Sequence, residues 1–214
     1  MPYPRRRRRG DVIGDVIADE VVSEMSNLSE MIEVTEAKWL GVGYWEGLLG
    51  MALASGRRLQ VVVPPDARGL LRTQVGVAEA VAQVCGGVWS GDVGGRVGVF
   101  EPSPLQGGAH RVRLGLGQGV GRVLAALVPA AGALPRGQSL TLTLEGSTHA
   151  PNTPTTDHWA LAMPPLLASM GVSLTLTQAR AGFAPPGGGE VEVVVEGGGW
   201  QPARWERRGA LTER

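Results

Sequence analysis

Two glycine- and proline-rich segments hold the residues of this 214-residue sequence best suited to chemistry. The first, Gly146-Ser-Thr-His-Ala-Pro-Asn-Thr-Pro-Thr-Thr-Asp157, lies between a predicted strand and a predicted helix. The second, Gly182-Phe-Ala-Pro-Pro-Gly-Gly-Gly-Glu-Val191, runs three consecutive glycines into a predicted strand. Such a run implies a backbone that takes unusual angles or approaches another group closely. By themselves both segments read as loops with special turn chemistry. The three histidines are His110, His149 and His158. A histidine on a strand edge or in a loop is more often a hydrogen-bonding residue than a catalyst. Cys85, the single cysteine, sits in an apolar helical pattern and has no internal disulfide partner. It reads as a buried thiol in a reducing, cytoplasmic setting.

The elements that position these segments follow from apolar periodicity and turn residues. Met31–Thr35 is a predicted strand, Leu40–Ala54 a helix closed by Gly56, Leu59–Val63 a strand ended by Pro64 and Pro65. Leu70–Val84 is a helix with Leu71, Val75, Ala78 and Ala82 on one face, closed by Gly86. Val88–Trp89 and Arg96–Phe100 are strands. The order then recurs: strand Arg111–Leu116, helix Val120–Ala131, strand Ser139–Leu144, a helix over Asp157–Met170 with Pro164 and Pro165 as a kink, then strands Val172–Thr177 and Glu190–Val195. The expectation is an α+β fold of two tandem β-α-β-α-β-β repeats, each a four-stranded sheet with two helices on one face. The repeats span residues 31–102 and 109–197, and 198–214 forms a C-terminal tail.

Apolar residues make up 43% of the chain, so it is globular, and 33 glycines and 15 prolines imply short elements and many turns. No apolar run is long enough to cross a membrane. The formal net charge of zero gives no bulk support for nucleic-acid binding, so any basic site must be local. Residues 1–30 differ from the rest. Arg5–Arg9 is followed by Asp11, Asp15, Asp19, Glu20 and Glu24, with Val12, Ile13, Val16, Ile17, Val21 and Val22 along one helical stripe. The segment reads as a flexible tail or a marginal helix, or Met31 is the true start. Its arginines either touch RNA phosphates or are simply solvated. The acidic stretch excludes a signal peptide.

Taken together, the two segments resemble the RNA 3'-terminal phosphate cyclase family. That family carries Gly-Gly-Thr-His-x-Pro-x-x-Pro-Pro-x-Asp and Arg-Gly-x-x-Pro-x-Gly-Gly-Gly-x-Val. Gly146, Thr148, His149, Pro151, Pro154 and Asp157 match the first, and Gly182, Pro185, Gly187, Gly188, Gly189 and Val191 the second. Ala181 stands where the family has a basic residue, with Arg180 beside it. Gly69-Leu-Leu-Arg-Thr-Gln74 through Val84-Cys-Gly86 is similar to the family's Gly-Leu-Leu-Arg-Gln-His helix ending in Ile-Cys-Gly. Leu114-Gly115 through Pro129 is similar to its Gly-Thr-Ala-Gly-Ser segment. The related enolpyruvyl transferases share the repeat architecture, but the triple glycine favours the cyclase side.

The resemblance implies ATP and a divalent metal as cofactors. A histidine is adenylated, the adenylate passes to an RNA 3'-phosphate, and the neighbouring 2'-hydroxyl closes a 2',3'-cyclic phosphate. It implies nucleotide contacts at Pro154, Arg72 and Gln74. The family nucleophile belongs to a third repeat after an inserted domain, and neither has a counterpart here, so no catalytic or metal-binding residue is assigned. The family's Gly-Glu-Gly-Gly-Gly-Gln motif is replaced around Lys38–Gly47: Trp39 or Leu40 stands at the metal position and Glu46 or Gly47 at an arginine position. Further arginines are replaced around Val62–Pro65. Each lost phosphate contact removes roughly 1.5–3 kcal/mol. Three readings stay open: a pseudoenzyme that binds RNA or a ribonucleoprotein, one half of a split cyclase completed by a second chain, or a truncated relic. The absent third repeat also predicts an exposed apolar surface near the C-terminal end, partly covered by Trp200 and Trp205 or buried by homodimerisation.

Overall fold

The computed structural model describes residues 31–36, 40–41 and 43–204. The expectations for residues 1–30, Trp39 and Trp205 lie outside the described residues. In the rest, two four-stranded sheets are built in the same way. The first holds β1 (Met31–Val34), β2 (Arg58–Val62), β3 (Val88–Ser90) and β4 (Val97–Glu101), in the order β1-β2-β4-β3. The second holds β5 (Gly108–Arg113), β6 (Ser139–Gly146), β7 (Ser173–Arg180) and β8 (Gly189–Glu196), in the order β5-β6-β8-β7. In each, the first two strands pair in parallel and the others are antiparallel. The expected α+β fold of two tandem repeats is the fold observed.

The helices are α1 (Tyr44–Ser55), α2 (Arg72–Cys85), α3 (Val120–Gly132) and α4 (Met163–Ala168). Gly56 and Gly86 close α1 and α2 in the left-handed conformation, as a glycine at that position allows. Alternate residues of the sheets face the helices. Leu140, Leu142 and Leu144 of β6 are fully buried with Val191, Val193 and Val195 of β8, while Glu145 and Glu192 lie on the opposite face. One apolar core runs through both repeats. Helix α3 is its centre, with Val123, Leu124, Ala126 and Leu127 wholly buried. It meets α1 so closely that a Cβ on Gly50 would lie 2.7 Å from the Ala126 carbonyl oxygen.

Two local differences from the sequence reading have physical causes. Strand β5 starts at Gly108 and ends at Arg113, rather than spanning Arg111–Leu116, because its span is set by parallel pairing with Leu140–Glu145. The expected helix over Asp157–Met170 is instead a π-helical turn, His158–Ala162, followed by the short α4. Pro164 and Pro165 have no N–H to offer the carbonyls of Ala160 and Leu161, and the Met163 N–H bonds to the His158 oxygen five residues back. Trp200 lies across Gly132 and donates its indole N–H to the Pro129 oxygen at 2.9 Å, while Leu161 and Leu166 stay exposed on the π turn and α4. No helix among the described residues is long and apolar enough to cross a membrane.

Candidate functional site

The N-termini of α1, α2 and α3 converge at one end of the molecule. Each contributes its third helical residue: Glu46, Gln74 and Arg122. The Glu46 carboxylate accepts the Gly43 N–H at 2.7 Å and forms an ion pair with the Arg122 guanidinium. Both residues are buried. The Gln74 amide accepts the Leu71 N–H and donates to the Leu40 oxygen, each at 2.7 Å, so both ends are engaged. The Trp45 indole N–H donates to the Gln74 oxygen at 3.0 Å and ties α1 to α2. Gln118, leading into α3, lies on Gly76 and donates to the Arg72 oxygen at 3.4 Å.

Helix N-termini attract anions, because their first N–H groups lack intrahelical partners and their dipoles add. Here a carboxylate of the chain itself occupies that position. Arg72, beside it, is exposed. It lines a groove of about 390 Å³ between α2 and β5, with Gly76, Glu79, Gln83, Arg113 and Gln118.

The two signature loops pack together next to this cluster. The Thr148 and His149 N–H groups donate to the Gly182 oxygen at 2.9 and 3.0 Å, and the Gly182 N–H donates to the Thr148 hydroxyl at 2.9 Å. The glycines are dictated by closeness. A Cβ on Gly182 would lie 2.1 Å from the Gly189 nitrogen, and one on Gly189 would lie 2.6 Å from the Thr148 methyl. Gly187 and Gly188 take positive φ values of 75° and 78°, which L side chains resist. The cis peptide Ala184–Pro185 carries the loop past Gly117, whose N–H bonds to the Pro185 oxygen at 2.9 Å.

His149 holds three neighbours. Its Nδ1 is 2.8 Å from the Thr148 hydroxyl, its Nε2 is 3.4 Å from the Asp157 carboxylate, and its ring stacks on Phe183 with centroids 4.9 Å apart. The Thr148 hydroxyl also donates to the Gly182 oxygen at 3.0 Å, so one side chain ties His149 to the second loop. Asp157 thus closes the 146–157 loop on itself. Pro154 is exposed, and its carbonyl oxygen occupies the space over Gly121, 1.9 Å from where a Cβ would be. Gln118 and Gly119 connect this ledge to Arg72. Pro154, Arg72 and Gln74 therefore lie at the same end of the fold.

On the outer face of the second sheet, Glu145 accepts from Arg111 and Arg113 at 2.8 and 2.9 Å. The hydrogen bond from Arg113, then that from Arg111, holds its carboxyl below the usual glutamate range. Among the described residues no group of three or more His, Cys, Asp or Glu side chains is placed to hold a metal ion. The sequence reading missed Arg122, Phe183 and Gln118. Phe183 was legible as an aromatic inside the signature, and Arg122 as the repeat-equivalent of Glu46.

Known proteins resemble this chain over most of its length. A family model described as RNA 3'-terminal phosphate cyclase matches residues 50–204. An RNA 3'-terminal phosphate cyclase of Pseudomonas fluorescens is 35% identical over 167 residues, 76% of this chain and 48% of that protein. Proteins of the same name from Ralstonia nicotianae and Salmonella typhimurium are each 35% identical, over 148 and 129 residues. The first of these matches covers 68% of this chain and 42% of the relative, the second 60% and 38%. The chain spans less than half the length of these curated relatives.

Proposed function

Since the chain belongs to the RNA 3'-terminal phosphate cyclase family, we propose that it acts as a non-catalytic member, binding RNA or a ribonucleoprotein without itself running the ATP-dependent cyclisation. One observation carries this reading: the Glu46 carboxylate, buried against Arg122, caps the N-terminus of α1 and pairs across to the first turn of α3. The resemblance puts a phosphate-binding arginine at residue 46 or 47. A triphosphate brought there would meet a fixed negative charge. Arg122, the buried cation beside it among the described residues, is already paired with that carboxylate.

The described residues thus do not fit a triphosphate at this position. The Gln74 amide, a second contact suggested by the resemblance, has both ends committed to the backbone. What the fold keeps is the pair of interlocked signature loops and the exposed Arg72 and Pro154 beside them. The RNA 3'-end is the natural occupant of such a surface by family kinship, with a second chain or a homodimer as a further partner.

Incubation with labelled ATP and a divalent metal, followed by a denaturing gel, tests the absence of chemistry. No label is expected on the protein. A covalent label that disappears when one of His110, His149 or His158 is changed would overturn the reading.

A further inference from the structure

Phe183 is 61% exposed, whereas the other phenylalanine, Phe100, is wholly buried. Free aromatic rings at loop tips normally collapse onto the surface, because burying one removes a large apolar area from water. Phe183 is held out by its surroundings. Its carbonyl accepts the Gly187 N–H at 2.9 Å, and its neighbour Ala184 donates to the His149 oxygen at 3.0 Å. The imidazole of His149 stacks beneath its ring at an interplanar angle of 23°. The imidazole in turn is fixed by Thr148 and Asp157. The result is a flat, pre-oriented two-ring stack with its outer surface open to solvent.

Resting on the reading that this chain binds RNA, we propose that the Phe183–His149 stack is the platform on which one base of a single-stranded RNA sits. Stacking needs only a planar π face, so the site accepts any of the four bases. The ring is already oriented, so little side-chain freedom is lost on binding. Arg180, three residues before Phe183, supplies the charge. Its Nε–H is bonded to the Gly188 oxygen, and its side chain is 64% exposed with only a loose 3.9 Å contact to Glu190. Its remaining N–H groups are within reach of a phosphate one or two nucleotides along. A single platform beside a single available arginine suits the end of a strand better than a long tract, which agrees with the zero net charge of the chain.

Fluorescence anisotropy with a short labelled single-stranded RNA, titrated with the wild-type chain and with Phe183→Leu and Phe183→Trp, tests the platform. Melting temperatures of all three verify folding. Phe183→Leu keeps an apolar side chain but no π face, and binding should weaken roughly 5- to 150-fold. Phe183→Trp should bind as well as wild type, and its indole emission should be quenched on RNA addition. Wild-type binding that Phe183→Leu leaves unchanged would overturn the platform while sparing RNA binding. No binding by the wild type would overturn both. Sedimentation showing self-association that Phe183→Leu abolishes, without any RNA effect, would reassign the ring to a protein interface and also overturn the proposal.

Discussion

Glu46 and Arg122 occupy the same place in the two repeats, the third residue of the first helix, and they form a buried ion pair with each other. The pair therefore joins the repeats at equivalent points. It locks α1 to α3 where their N-termini meet, one turn from the loops that carry the family signature.

Removing one partner leaves the other as an uncompensated buried charge. Glu46→Ala or Arg122→Ala should each cost about 3–5 kcal/mol of folding stability. Replacing both at once, as in Glu46→Leu with Arg122→Leu, should restore most of that loss, because two apolar side chains need no partner. Urea unfolding of the two single variants and the double variant measures the coupling. Simple additivity of the losses would mean that the two groups do not act as a pair.

Gly76→Ala would drive a methyl group into the Gln118 amide, whose nitrogen lies 1.6 Å from the added Cβ position. The amide must leave Arg72, and the contact between α2 and the lead into α3 opens. The gain of roughly 1 kcal/mol in helix propensity offsets part of the displacement, so a net loss of no more than about 1 kcal/mol is expected. A companion change, Gln118→Ala, should relieve much of it. Thermal melts of the two variants together and apart check this.

Acid should weaken the outer face of the second sheet. Glu145 has its pKa lowered from 4.5 by hydrogen bonds from Arg113 and Arg111. A group depressed in the folded state contributes stability above its unfolded pKa and loses it as pH falls through the folded one. The wild-type melting temperature should therefore fall more steeply below about pH 4.5 than that of Glu145→Gln. The difference should be small, because these side chains face water and salt screens them. Equal slopes would show that the cluster adds nothing.

Strands β6 and β8 were legible because alternation at Leu140, Leu142 and Leu144, and at Val191, Val193 and Val195, marks one buried face without knowledge of the fold. Helix ends were legible at Gly56 and Gly86 through left-handed caps. Strand β5 was displaced because Gly108, Ala109 and His110 carry no alternating signal, and only pairing with β6 defines them. The signature loops were legible as a motif, but the reason for their glycines was not: Gly182 is required by Gly189, a contact that exists only once both strands are in place. The Glu46–Arg122 pair joins residues 76 positions apart and leaves no local trace in the sequence.

The proposed function has the chain engage an RNA end and leave its chemistry untouched. The direct measurement supplies it with a short RNA ending in a labelled 3'-phosphate, ATP and a divalent metal, then asks whether the label has become resistant to a phosphomonoesterase. RNA bound to the protein, with its 3'-phosphate still fully removable, is the expected result. Conversion of the label to a phosphatase-resistant 2',3'-cyclic phosphate, above a control lacking ATP, would contradict it.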